Sequence, residues 1–146
     1  MLKILKDKLN DILNKENVKE LILDNNRIVT NFDELGLYDN IIMVDDIKFD
    51  DFILNYANKN NLYLLSNNYS YDFGFISLND KAIKEYGLYP QNYIMPLSDG
   101  ILELIGNFLD EYETYEISNS FKNRSYELYK LICEELKDGY LVLFEE

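Results

Sequence analysis

Histidine and tryptophan are absent from this chain of 146 residues, and Cys133 is its only cysteine. Without an imidazole there is no Ser-His-Asp or Cys-His arrangement and no histidine ligand for a metal ion. One cysteine excludes an intrachain disulfide and a cysteine cage for zinc within one chain, and it fits a reducing, intracellular setting. Only six glycines are present, and none falls in a phosphate-cradling or dinucleotide-binding loop pattern. Long apolar runs are missing too. The longest, residues 62–65 and 140–144, fall far short of the roughly 20 residues that span a bilayer. The first ten residues alternate charged and apolar side chains where a signal peptide needs an unbroken apolar stretch. These absences lead to the expectation of a cytoplasmic protein that makes no membrane contact and needs no cofactor.

Basic residues are the other scarcity. Fourteen Lys and Arg stand against 27 Asp and Glu, a formal charge of −13. That balance opposes direct binding of a nucleic-acid backbone and favours a basic partner. The imbalance is local as well as global. Residues 85–121 hold no Lys or Arg but carry Glu85, Asp99, Glu103, Asp110, Glu111, Glu113 and Glu116, with five tyrosines among them.

What is present suffices for a folded domain. Apolar residues make up 47% of the chain, a globular rather than a disordered composition. A chain of this length buries roughly two-thirds of its unfolded surface. No repeat, linker or low-complexity segment divides it, so residues 1–146 read as one α+β domain, with a mostly antiparallel sheet and amphipathic helices packed on it.

Leu2, Leu5, Leu9, Ile12 and Leu13 recur at helical spacing, which predicts a helix over residues 2–16. Residues 18–23, 28–32 and 41–47 read as antiparallel strands, the first two joined by a turn at Asn25 and Asn26. Asp50 or Asp51 then caps a helix running to Lys59. Residues 62–65 and 71–78 form a hairpin-like pair in which Gly74, between Phe73 and Phe75, marks a bulge or a close backbone approach. Asn79 or Asp80 starts a helix closed by Gly87, and Pro90 and Pro96 bracket an extended piece at 93–95. Ser98 or Asp99 caps a helix whose stripe is Ile101, Leu102, Ile105, Phe108, Leu109 and Tyr112. The last helix starts near Ser120, carries Phe121, Leu128, Tyr129, Ile132, Cys133 and Leu136, ends at Gly139, and pairs Lys130 with Glu134 on its surface. Cys133 on that stripe reads as a buried, inert thiol. Residues 140–144 lack polar alternation, which places this strand inside the sheet with both faces covered.

Two segments could carry recognition. Asp110, Glu111, Tyr112, Glu113, Tyr115 and Glu116 collect carboxylates and phenols at a helix C-terminus, where the macrodipole disfavours negative charge. Tyr offers a rigid apolar body and a face for cations, and carboxylates offer bidentate acceptors for Arg. Tyr69, Tyr71 and Asp72 repeat the theme at the tip of the hairpin, where loops on a rigid scaffold carry function. A different chemistry is open to Asp45, Asp46, Asp50 and Asp51, whose oxygens could hold Mg²⁺ or Ca²⁺. The spacing there is not that of an EF-hand loop, because Ile47 and Phe49 occupy ligand positions.

The leading expectation is a small acidic inhibitor of the immunity-protein or antitoxin type, not an enzyme, that occludes a basic toxin such as a nuclease. A phage-encoded nucleic-acid mimic acting on a defence nuclease has the same physical character. A carboxylate- or metal-dependent enzyme built on Asp45–Asp51, or an adaptor subunit, are the readings from other classes.

Overall fold

Local signals become elements in the order β1 (Leu2–Leu5), α1 (Lys6–Lys15), β2 (Leu21–Ile22), β3 (Ile28–Val29), β4 (Leu37–Tyr38), β5 (Ile41–Val44), α2 (Ile47–Lys59), β6 (Tyr63–Asn67), β7 (Phe75–Ser77), α3 (Asp80–Tyr86), α4 (Asp99–Thr114), α5 (Asn119–Glu135) and β8 (Tyr140–Glu145). A computed structural model describes residues 2–18, 21–22, 28–29, 37–38, 41–44, 47–114 and 118–145. The main sheet has six strands in the order β4-β5-β1-β8-β6-β7, and β2 pairs with β3 in a separate ribbon.

The apolar run at 140–144 is β8, and it lies between β1 and β6. Its unbroken hydrophobicity serves two cores. Tyr140, Val142 and Phe144 point to the face covered by α3, α4 and α5, while Leu141 and Leu143 point to the face covered by α1 and α2. The sheet is mixed: β8 is parallel to β6, from Tyr63 opposite Tyr140 to Asn67 opposite Phe144, and its other pairings are antiparallel. A parallel pair requires a long crossover, and here β7, α3, α4 and α5 supply it. Among the described residues no helix is long and apolar enough to cross a membrane.

Several local expectations are corrected. The stripe assigned to one helix over 2–16 is divided, because Leu2–Leu5 pairs with β5 and β8 and the helix begins at Lys6 with Leu9, Ile12 and Leu13 buried. In β1 the residues alternate between faces, Leu2 and Ile4 toward α1 and α2, Leu5 toward α5. Four residues satisfy either period, and strand partners far along the chain decide between them. The third expected strand stops at Val44 and pairs with β1 and β4, not with the first two. Because α2 starts at Ile47, Asp50 lies in its first turn and neither Asp50 nor Asp51 is the cap. Residues 92–94 form a 3-10 turn, not an extended piece. On α5 the helix closes at Glu135, short of Gly139, and Lys130 pairs with Glu127 at 2.8 Å. The expected turn at Asn25 and Asn26 lies outside the described residues.

Other local signals are realised as read. Asn79 caps α3 by accepting from Ala82 N–H, and Gly87 closes it at φ 79°. Gly74 has φ 91°, and a Cβ there would lie 3.4 Å from Ile105 Cγ2. It therefore serves both the left-handed backbone and the close approach of the hairpin turn to α4. Ser98 ties the start of α4 to the end of α5, with its N–H and hydroxyl donating to the Glu135 carboxylate at 2.7 and 2.9 Å.

Candidate functional site

The acidic end of α4 is built on an aromatic corner. Phe108 of α4 meets Phe121 of α5 edge-on with ring centroids 5.4 Å apart, and Tyr112 lies 6.2 Å from Phe121. Asp110 and Glu113 are exposed. Glu111 is not open in the same way, because Arg124 donates a two-pronged fork to its carboxylate at 2.9 and 2.5 Å. The same guanidinium sits 5.5 Å from the Phe108 ring centroid and 5.9 Å from that of Phe121. That fork holds the Glu111 carboxyl below its ordinary value of 4.5. It also brings positive charge to a helix C-terminus whose last turn contains no basic residue. Tyr115 and Glu116 lie outside the described residues.

A folded carboxyl with a depressed pKa contributes stability that is fully present above its unfolded value and disappears as pH falls through the folded one. Glu111→Gln should therefore lower Tm at neutral pH, with the gap from wild type closing as pH is taken below the Glu111 pKa. Paired thermal melts across that range check it, and a gap that persists in acid would remove the ion pair as its origin.

The turn between β6 and β7 is held by polar contacts. Asn68 Oδ1 accepts from Ser70 N–H at 2.7 Å, and Asn68 Nδ2 donates to the Glu145 carbonyl at 2.6 Å. The Tyr71 hydroxyl donates to the Glu145 carboxylate. Burial and, after it, that bond push the Tyr71 phenol up. Asp72 is exposed. Tyr69 is placed differently from the expectation of an exposed tip: it is 4% exposed and stacks on Phe108 at 5.2 Å. Its ring fills the space under α4 that Gly74 leaves open, so it belongs to the floor of the site. Its hydroxyl has no hydrogen-bond partner among the described residues.

The two sequence segments, some 40 positions apart, converge. Tyr69 and Ser70 from the turn and Tyr112 from α4 line one cleft of about 310 Å³, closed by Phe121, Lys122 and Glu145. Beside the turn, Tyr89 lies 6.1 Å from Tyr71 and continues into a surface that sequence reasoning missed. Leu88, Tyr89, Tyr93 and Ile94 are 47%, 44%, 62% and 49% exposed. The available signal was their position: large apolar residues between Gly87 and Pro96 follow no helical or strand period and cannot join a core stripe.

For the metal reading, Asp50 is half-buried and Asp51 exposed, at adjacent positions of α2. Adjacent helical positions diverge by about 100°, a poor start for a shared ligand set. Asp45 and Asp46 lie outside the described residues. Among the described residues no cluster of three or more acidic or Cys side chains is arranged to hold a metal ion.

No protein-family model, curated protein or solved structure matches this chain.

Proposed function

We propose that this protein is an acidic, cytoplasmic binding protein of the inhibitor class, whose partner is a basic protein such as a nuclease toxin. The observation that carries the reading is that Tyr69 and Ser70 of one Tyr- and acid-bearing segment and Tyr112 of the other line one cleft, while Asp72, Asp110 and Glu113 of the same segments are exposed. The carboxylates would take Arg and Lys side chains that otherwise hold substrate phosphate. Tyr71, Tyr112 and the exposed Tyr89 and Tyr93 would supply contact area at low entropic cost. A charge of −13 speeds encounter with a basic surface and makes the association sensitive to salt. The role is occlusion, with no chemical step on this chain.

The variant that tests this is Asp110→Lys with Glu113→Lys. It leaves the Glu111–Arg124 fork untouched, so the helix corner should keep its stability. From a lysate of the source organism at low salt, the wild type is expected to retain a basic nuclease that elutes with salt and whose activity it blocks stoichiometrically. The double variant should retain at least about tenfold less, a loss of about 1.4 kcal/mol or more. Equal retention by both proteins, or a captured protein whose activity is unaffected, would sink the reading.

A further inference from the structure

A cleft of about 430 Å³ lies away from the acidic surface, between the first turn of α1 and the last turns of α5. That volume is in the range of small-molecule sites. Its base is apolar, with Leu136, Leu141 and Val142 all nearly inaccessible. Its rim is basic: Lys6, Lys8, Lys130 and Lys137 line it, against Asp7 and Glu134. Four of the chain's 14 basic residues therefore gather at one cleft of a protein that carries −13 overall. Lys130 is held by Glu127 outside the lining, whereas Lys8 and Lys137 enter no ion pair among the described residues. The first-turn N–H groups of α1 receive no side-chain cap from Leu5, which adds partial positive charge on the same side.

We propose that this cleft binds a small amphipathic carboxylate, with its hydrocarbon part against Leu136, Leu141 and Val142 and its carboxylate between Lys8 and Lys137. An apolar floor alone would take any hydrophobic molecule, and the protein's net charge would make that molecule preferentially a cation. The basic rim reverses this preference locally, since charge pairs at close range outweigh a distant field that salt screens within about 10 Å. The site shares no lining residue with the cleft beside Tyr69 and Tyr112 and stands whether or not the inhibitor reading does.

Octanoate and octylamine have the same tail and opposite charge, so their comparison isolates the rim. In calorimetric titrations of the full chain, octanoate should bind about tenfold more tightly than octylamine, on the scale expected for one or two ammonium groups near the surface. Octanoate should also shift the backbone amide resonances of residues 5–8 and 133–142. Lys8→Glu with Lys137→Glu should invert the order, so that the amine becomes the tighter ligand. The inversion is a gain of binding, which a poorly folded variant could not produce. Equal affinities in the wild type, preference for the amine, binding of neither, or octanoate binding that survives the double charge reversal would each overturn the proposal.

Discussion

Asn79→Ala is expected to destabilise the fold by about 2–5 kcal/mol, an effect out of proportion to a polar side chain at a helix start. Asn79 is only 3% exposed and its side chain makes four hydrogen bonds. Its Oδ1 accepts from Ala82 N–H and from Leu64 N–H, each at 3.1 Å. Its Nδ2 donates to the Leu62 carbonyl at 2.8 Å and to Asn58 Oδ1 at 3.1 Å. One amide thus joins the end of α2, the entry to β6 and the cap of α3. Alanine would remove the cap and leave the buried Leu64 N–H and the part-buried Leu62 carbonyl without their partner. Asn79→Asp separates the contributions, since it keeps both acceptor roles and loses both donors. Its carboxylate would face two oxygens at neutral pH, so its deficit should shrink as the pH falls and the protonated carboxyl can donate again. Denaturant melts at neutral and mildly acidic pH would show this, and a loss under about 1 kcal/mol for alanine would mean the network is not cooperative.

Ile105→Ala should cost a comparable 2–5 kcal/mol, roughly the range for removing a fully buried aliphatic side chain. Ile105 is 0% exposed, and its Cγ2 lies against the Gly74 backbone, beside Tyr69. The cavity left by truncation would open directly under the hairpin turn, where the left-handed Gly74 backbone leaves little room for collapse. Leu102, on the same stripe, is half-buried, and Leu102→Ala should cost clearly less. Urea titrations of the two variants would test the contrast. Equal losses would show that the burial difference does not govern stability on this helix, and a small loss for Ile105→Ala would mean that the turn settles into the space.

That contrast shows where sequence periodicity stops. A helical stripe identifies the side of α4 that turns inward, and Ile101, Ile105 and Phe108 are buried as the spacing requires. It cannot rank the members of the stripe, because burial at its edges depends on how close the neighbouring elements come. Leu102 and Leu109 read like Ile105 in the sequence and are only half-buried in the structure. The same limit explains Tyr69. A tyrosine in a polar turn reads as exposed, but Gly74 and the ring of Phe108 make a place for it beneath α4.

The acidic site was legible in part. Its composition is written in residues 85–121, and the exposed carboxylates Asp110 and Glu113 lie where the helix spacing puts them. The neutralisation of Glu111 was not legible, because Arg124 lies on the next helix and only the α4–α5 corner brings it within 2.9 Å. The convergence of Tyr69 with Tyr112 depends likewise on the packing of a hairpin turn against a helix end.

By itself the sequence determined the features that arise within a few residues: a cap for α3 at Asn79 or Asp80 and for α4 at Ser98 or Asp99, the close of α3 at Gly87, the stripes of α4 and α5, the β6–β7 hairpin and the two-faced burial of β8. These follow from short-range sterics, local hydrogen bonds and the period of hydrophobicity, all of which are present in any window of the chain. The tertiary structure alone decided that residues 2–5 are a strand, that β8 runs parallel to β6, and that lysines from the two ends of the chain meet at one cleft. Each of these pairs groups far apart in sequence, and no local propensity specifies which distant backbone or side chain will close the contact.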